Sequence, residues 1–347
     1  MENKPLCSVV MSVYNGEEYL KEAIDSILRQ SYANFEFIII DDASTDGSLE
    51  IIQSYNDPRI IILQNNENLF LAASLNKGIK SAKGKYLVRM DADDISMPER
   101  LWKQVNYMEE NPSIGISGTC TEVFGYKPSH GKFNTQNHII KYKLFHECHF
   151  LHPSLIIRKD LITKHNLFYD ENFRKNQDYE LYSRAIKFTQ FGNLPDYLLK
   201  YRQTKENIKR ESHNQKENIL AIQKKLFLNI GYKISDKEIE LYKSINYQSY
   251  TQTSNYVAES YSLLNNIIAS NRKTFFFNSN DFEPYIYGLF ENVCRNSKGS
   301  GFTPFKYYLK FNPSQNYFRK VKIILILFVK NSLDFFLFQK NNNANFN

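Results

Sequence analysis

The feature that most constrains this chain is a pair of apolar runs with a helical pattern between them. Leu6–Val13 (LCSVVMSV) is interrupted only by Ser8 and Ser12, and Phe35–Ile40 (FEFIII) carries a single Glu. Such runs have no polar face to turn toward water, so they suit strands covered on both sides. Between them, Leu20, Ala23, Ile24, Ile27 and Leu28 fall on one face of a helix that the pattern starts at Asn15, with Glu18 three residues on as in a capping box. The alternation continues with a strand over Ile60–Leu63, a helix over Leu71–Ala82 and a strand over Tyr86–Met90. Ser96-Met97-Pro98-Glu99 then reads as the opening of a further helix, with Ser as its cap and Pro in its first turn. Strands and helices alternating through short connections imply an α/β fold, a mostly parallel mixed sheet with helices on both faces.

After Tyr126 the alternation loosens. Ser154–Arg158 and Leu194–Tyr201 read as strands, with a helix over Tyr179–Phe188 between them, and from Glu206 to about Lys340 the pattern is mainly helical. The expected division is a domain over 1–205 and a helical C-terminal region over 206–347. The net charge of +7 lies mostly in the second of these. Residues 200–225 hold eight Lys or Arg against three Glu, and residues 301–347 hold seven against Asp334 alone. Such clusters either face an anionic partner or form a solvated helix face. Cys7, Cys120, Cys148 and Cys294 show no CxxC pairing, the inventory of a reduced compartment. The first apolar run is short and breaks at Tyr14-Asn15-Gly16 without a cleavage pattern, so no signal peptide is expected and the expected location is cytoplasmic.

Chemistry concentrates where strands end. Asp91-Ala92-Asp93-Asp94 follows the Tyr86–Met90 run, and its carboxylates repel one another unless a cation joins them. A hard divalent ion that completes its shell with phosphate oxygens and water is the natural partner. The alternative is a solvated loop whose charge favours the N-terminus of the following helix. A second cluster, Asp41-Asp42-Ala43-Ser44, ends the Phe35–Ile40 run. In parallel sheets ligands bind beyond the carboxyl ends of the strands, and both clusters belong to that edge.

Taken in order, SVVMSVYNGEEYL, the Asp41-Asp42-Ala43-Ser44 cluster and NENLFLAASLNKGIKSAKGKYLVRMDADD resemble the inverting nucleotide-sugar glycosyltransferases of family 2. The resemblance runs from about Pro5 to about Arg202. It implies the A-type glycosyltransferase fold, which is Rossmann-like, and a UDP-sugar donor with Mn²⁺ or Mg²⁺ as cofactor. By similarity, the backbone around Val13 and Tyr14 and the carboxylate of Asp42 hold uracil, and Asp91 with Ala92 meets the ribose or sugar. Asp93 ligates the metal. Asn176-Gln177-Asp178-Tyr179-Glu180-Leu181 resembles the family's acidic motif at a helix start, which makes Asp178 the general base; taken alone, it is an ordinary first-turn Asp. The nearest resemblance is to bacterial enzymes that add hexoses or N-acetylhexosamines to lipooligosaccharide, O-antigen or capsule, often by β-1,3 linkage.

Three positions depart from the family's pattern. Phe70 stands where many relatives have Gly, Gln177 where Glu is usual, and Thr204 where a His near the metal is common. His146, Cys148, His149 and His152 lie close in sequence, but their spacing is not a helical HExxH and no second ligand cluster supports zinc. His152-Pro153-Ser154 instead resembles a family segment beside the acceptor, which makes His152 an acceptor-side candidate.

The run Val321–Lys330 is too short to span a bilayer. Either it is a buried helix, or residues 319–338 lie on a membrane with Arg319, Lys320, Lys322 and Lys330 toward the headgroups. The acceptor implied is a glycan or lipid-linked glycan. Two other readings bear on the same residues. A sugar-nucleotide nucleotidyltransferase would share the sheet and acidic site, but Tyr14-Asn15-Gly16-Glu17 is no Gly-rich, Arg- or Lys-bearing signature loop. A basic nucleic-acid-binding protein would explain residues 200–225 and not the two acidic clusters, so nucleic acid is not an expected partner.

Overall fold

A computed structural model describes residues 7–205, 215–249, 254–297, 302–311, 321–329 and 332. The chain divides into two compact units, Met1–Ile222 and Gln223–Asn347.

In the first unit the elements run β1 (Cys7–Val13), α1 (Glu17–Leu28), β2 (Phe35–Asp41), α2 (Ser48–Gln53), β3 (Ile60–Gln64), α3 (Phe70–Ser81), β4 (Tyr86–Met90), β5 (Ile95–Ser96) and α4 (Arg100–Glu110). They continue with β6 (Ile114–Gly125), β7 (Ser129–Gly131), α5 (Asn137–Lys143), a 3₁₀ turn (His152–Ser154), β8 (Ile156–Arg158), α6 (Lys159–His165), α7 (Gln177–Ala185) and β9 (Gln190–Gln203). The sheet order is β3-β2-β1-β4-β8-β6-β9-β5, with β7 paired to β6. The pairs among β1 to β4 are parallel, those of β8 with β4 and β6 are antiparallel, and β6 with β9 is parallel again. This is the expected mixed α/β sheet.

Both apolar runs are covered on both faces. Every residue of β2 is buried, and all but Ser12 in β1. Helix α1 sends Leu20, Ala23, Ile24 and Ile27 into the core beneath them. On the other face α3 lies so close that a β-carbon on Gly78 would stand 2.6 Å from Val10 Cγ1 and 2.8 Å from Ile40 Cδ1. Only Gly lets the helix approach that far.

Two expected helix starts are corrected. Asn15 does not cap α1, whose first residue is Glu17. It adopts a left-handed backbone (φ +51°), and its Oδ1 accepts the N–H of Thr45 at 2.8 Å. The capping comes from the facing loop, where Asp46 Oδ2 accepts the Glu17 N–H (3.1 Å) while Glu17 Oε2 accepts the Gly47 N–H (2.7 Å). Each loop thus supplies a carboxylate to the other's helix N-terminus, where negative charge is favoured. Ser96 likewise is no cap: it lies in β5, paired with β9, and α4 begins at Arg100. The long β6 and the short α5 and α6 have no counterpart in the sequence reading, and Ser154 falls in the 3₁₀ turn before β8.

The helix α8 (Lys216–Asn229) carries the point of division, and the second unit goes on with α9 (Asp236–Asn246), α10 (Ser254–Thr274), α11 (Ser279–Asn296) and α12 (Thr303–Phe311), followed by a helix over 321–329. Ile239, Leu264, Ile268, Ile286, Phe290, Val293, Tyr308 and Phe311 are buried. Ser235 and Glu238 form a complete capping box on α9. Among the described residues no helix is long and apolar enough to cross a membrane.

Candidate active site

The loops after β1, β2, β3 and β4 gather at the carboxyl edge of the parallel strands. Asp42 closes this edge on the β2 side. Its N–H donates to Val13 O at 2.8 Å, so the end of β1 and the carboxylate are one fixed unit. Asp42 Oδ1 accepts from Asn65 Nδ2 (2.7 Å) and from the Leu69 N–H (2.9 Å), and Asn65 is itself held by Ser74 and Lys77. Tyr14, the next residue after Val13, is half-exposed.

The loop Asp91-Ala92-Asp93-Asp94 lies against the β1–α1 turn, since a β-carbon on Gly16 would be 3.4 Å from Val13 Cγ1 and 3.7 Å from Ala92 Cβ. The carboxylates of Asp91, Asp93 and Asp94 offer ligand oxygens within 4.8 Å of one another. Asp94 is fully buried, its Oδ2 has no hydrogen-bond partner, and burial, with Asp91 and Asp93 adding to it, pushes its carboxyl well above the usual range. A buried orphan oxygen among three carboxylates fits a hard divalent cation that prefers oxygen donors. Among the described residues this is the sole cluster of His, Cys, Asp or Glu with ligand atoms so close.

Two arginines fix this loop, and the sequence reading assigned no role to the first. Arg89 is buried at the end of β4 and forms an ion pair with Asp91. Arg202, at the end of β9, donates its backbone N–H to Asp94 Oδ1 (2.8 Å) and its Nε–H to Asp93 O (2.8 Å). Its guanidinium is stacked between Tyr19 (4.1 Å) and Phe124 (4.4 Å) and pairs with Glu22. Beneath the loop, Arg100 donates to Arg89 O (2.8 Å) and to Gln104 Oε1 (3.0 Å). Arg100 and Gln104 occupy the inward face of α4 beside Leu101, Val105 and Met108. Polar residues at apolar-period positions were the signal that could have found them.

Asp178 is the second residue of α7, half-buried, with Cys148 Sγ 3.8 Å from its Oδ2. Burial raises its carboxyl pKa, against the opposing pull of the Tyr179 and Asp178 N–H groups and the charge of Arg89. That direction suits a base, because it offsets the acidifying effect of a helix N-terminus. His152 is buried, and its Nε2 meets Tyr169 Oη at 2.7 Å. Burial, with Arg89 nearby, holds it well below the usual imidazole range, so it is neutral. Among the described residues the other histidines form no cluster of metal ligands. His149 has Asn134 N–H on Nε2 (3.0 Å) and Glu147 beside Nδ1 (3.4 Å), while His146 lies 3.6 Å from Glu147.

Backbone strain marks the same places. Of the seven non-Gly residues with positive φ among the described residues, Asn15 and Ala43 adjoin Tyr14 and Asp42, Phe70 follows the Leu69 whose N–H holds Asp42, and Asn176 lies two residues before Asp178. Non-Gly residues at such angles persist where the surrounding structure over-determines them, commonly at ligand sites.

The family model "Glycosyl transferase family 2" matches residues 8–166. An uncharacterized glycosyltransferase of Haemophilus influenzae is 33% identical over 293 residues, covering 75% of this chain and 90% of the relative. An uncharacterized glycosyltransferase of Methanocaldococcus jannaschii is 40% identical over 215 residues, covering 58% of this chain and 71% of the relative. Among solved structures, S. aureus TarS 1-349 in complex with UDP-GlcNAc superposes with a TM-score of 0.57 at 16% identity, covering 90% of this chain and 93% of that one. The sheet with its acidic carboxyl edge is that of an A-type glycosyltransferase, an enzyme of sugar transfer. The chain belongs to glycosyltransferase family 2.

Proposed function

We propose that the protein is a metal-dependent inverting glycosyltransferase that moves a hexose or N-acetylhexosamine from a UDP-sugar to a hydroxyl of a growing surface glycan, such as lipooligosaccharide, O-antigen or capsule. The observation that carries this reading is the acidic triad with its buried orphan oxygen, standing at the same sheet edge as the doubly held Asp42. TarS, which has the same fold, has been seen with UDP-GlcNAc, and this agrees with a UDP-sugar donor.

In this reading the Val13 and Tyr14 backbone and Asp42 hold uracil, and Asp91 and Ala92 meet the ribose or sugar. Asp93 holds Mn²⁺ or Mg²⁺, with Asp94 as a further oxygen donor in place of the ligand that Thr204 does not supply. A bound divalent cation offsets the negative charge that grows on the departing diphosphate. Arg89 and Arg202 keep the Asp91–Asp94 loop in place before donor arrives. Asp178 takes the proton of the acceptor hydroxyl as that oxygen attacks the anomeric carbon from the side opposite UDP. The new C–O bond forms while the bond to the diphosphate breaks, and UDP leaves with the electron pair. His152 braces the acceptor side through Tyr169. The acceptor is a glycan or lipid-linked glycan, met at the cytoplasmic face of the inner membrane, where 319–338 provides a peripheral contact. The first domain carries the chemistry and the helical region serves the acceptor or membrane.

The test is a screen of UDP-sugars for UDP release with Mn²⁺ or Mg²⁺. One productive donor whose turnover stops on chelation supports the reading. Release from none of them, with or without metal, would sink it.

A further inference from the structure

Phe70 and Arg174 meet between the turn that holds Asp42 and the segment that leads into α7, and the function proposed above uses neither. Phe70 opens α3 at φ +68° and is 43% exposed. A left-handed φ is a true outlier for a bulky side chain, and an exposed ring recovers little of that cost by burial. The turn that holds it also orients Asp42: Leu69 gives its N–H to Asp42 Oδ1, and Asn68 Oδ1 accepts the Phe70 N–H at 3.0 Å. Above the ring, 3.5 Å from its centroid, lies the guanidinium of Arg174, four residues before Asp178.

The two segments are tied together. Asn76 of α3 donates to Tyr169 O and Glu171 Oε1, both at 2.9 Å, and accepts the Tyr169 N–H at 2.9 Å. Arg174 is exposed and makes no ion pair with a carboxylate among the described residues. Stacking engages the face of a guanidinium and leaves its in-plane N–H groups directed outward. That fork matches two oxygens of one phosphate.

We propose that Arg174, held flat on Phe70, binds a phosphate of the reacting substrates at the seam between the Asp42 side and the Asp178 side of the site. The inference rests on the nucleotide-sugar reading above. The phosphate belongs either to the donor diphosphate or to a phosphate-linked acceptor, and Arg174 serves as a positioning contact for it.

The test is titration of UDP and of uridine, each with Mn²⁺, into the full chain and into Arg174→Gln, Arg174→Lys, Phe70→Gly and the Phe70→Gly/Arg174→Gln double variant. For a donor phosphate, Arg174→Gln weakens UDP about tenfold or more and leaves uridine unchanged, because only a charge-assisted contact to phosphate is lost. Arg174→Lys recovers part of the loss, since the charge stays and the fork goes. Phe70→Gly adopts the positive φ freely, keeps the melting temperature, and weakens UDP to a similar extent. The double variant then binds no worse than Arg174→Gln; strictly additive losses would overturn the role given to the ring. If UDP binding is unchanged in every variant, KM is compared for a decyl diphosphate-linked N-acetylhexosamine and the matching decyl glycoside. A rise for the first alone assigns the phosphate to the acceptor. No change in either overturns the proposal while wild-type UDP binding keeps the nucleotide-sugar reading intact. Wild-type protein that binds neither UDP nor uridine refutes that reading first, and this inference with it.

Discussion

The two units bury polar groups for different ends. In Met1–Ile222 one group of them stands at the carboxyl edge of the sheet and beneath it: Asp42 with Asn65, Arg89, Asp94, and Arg100 with Gln104 are all buried, and several are held by two or more partners. In Gln223–Asn347 two of the buried polar side chains among the described residues close helix ends. Asn271, fully buried, donates to Phe277 O (3.0 Å) and accepts the Phe277 N–H (2.8 Å), and Ser297 Oγ bonds Val293 O. The first arrangement preorganises charge at the expense of stability, while the second satisfies groups that every helix leaves open. Substitutions at the sheet edge should therefore remove chemistry from a folded protein, and substitutions among the C-terminal helices should remove folding.

The largest effect tests the sheet edge. Asp93→Ala is expected to abolish turnover and Mn²⁺-dependent UDP binding with little change in melting temperature, because Arg202 holds the loop through the Asp93 carbonyl and the Asp94 carboxylate, which remain. Retained turnover would remove the metal role of this residue and with it the contrast.

Asp178→Asn follows. It keeps the shape and cannot take a proton, so kcat should fall about 10²- to 10⁴-fold while UDP affinity persists. The folded carboxyl titrates above its ordinary value because of burial, so the base form fills only as pH rises through that raised pKa. The acid limb of the wild-type kcat profile should lie above the ordinary Asp value and be missing from the residual activity of the variant. A limb that survives belongs to another group.

On the other side of the comparison, Phe290 is fully buried, with its ring 4.7 Å from Phe311 and 5.9 Å from Tyr261. Phe290→Ala should cost about 3–5 kcal/mol in denaturant unfolding, with the UDP affinity of the folded fraction unchanged. A loss of affinity at full folding would show that the contrast between the units is too sharp.

How far the sequence reaches differs between the units for the same reason. Mostly apolar runs made β1, β2 and β4 readable, and the acidic clusters after β2 and β4 were readable because like charges in sequence need an explanation. The partners of those carboxylates were not readable. Asn65 is brought to Asp42 by the crossover into β3, and Arg100 reaches Arg89 O from α4, so each looks locally like a loop or helix residue; Arg89 is only two residues from Asp91 but sits within an apolar strand run that gives no sign of the pairing. Asn15 misled because an Asn before a helix suits a cap, yet the loop opposite offered Asp46 instead. Phe70 was visible as a departure, but its stacking with Arg174 depends on a contact more than a hundred residues apart.

The smallest expected effect concerns the helix over 321–329. Arg319, Lys320, Lys330 and residues 333–338 of the expected membrane segment lie outside the described residues. The helix buries one strip, Ile323 and Leu327, four residues apart, while Leu325 (59% exposed), Phe328 (50%) and Val329 (57%) remain in water. Phe302 and Phe305 stand 6.2 and 5.8 Å from the Phe328 ring, and Lys306, Lys310 and Lys322 are exposed. One strip of this helix is core, and the membrane contact proposed above would use its exposed strip. Each Lys near an anionic surface contributes about 1 kcal/mol, in addition to the apolar burial. Leu325→Ser with Phe328→Ser should therefore leave stability within about 0.5 kcal/mol, as for surface positions, while reducing co-sedimentation with vesicles of anionic lipid at low salt. A stability loss of several kcal/mol would place these side chains in a core. Wild-type protein that stays in the supernatant would end the membrane reading and leave the exposed strip to another partner.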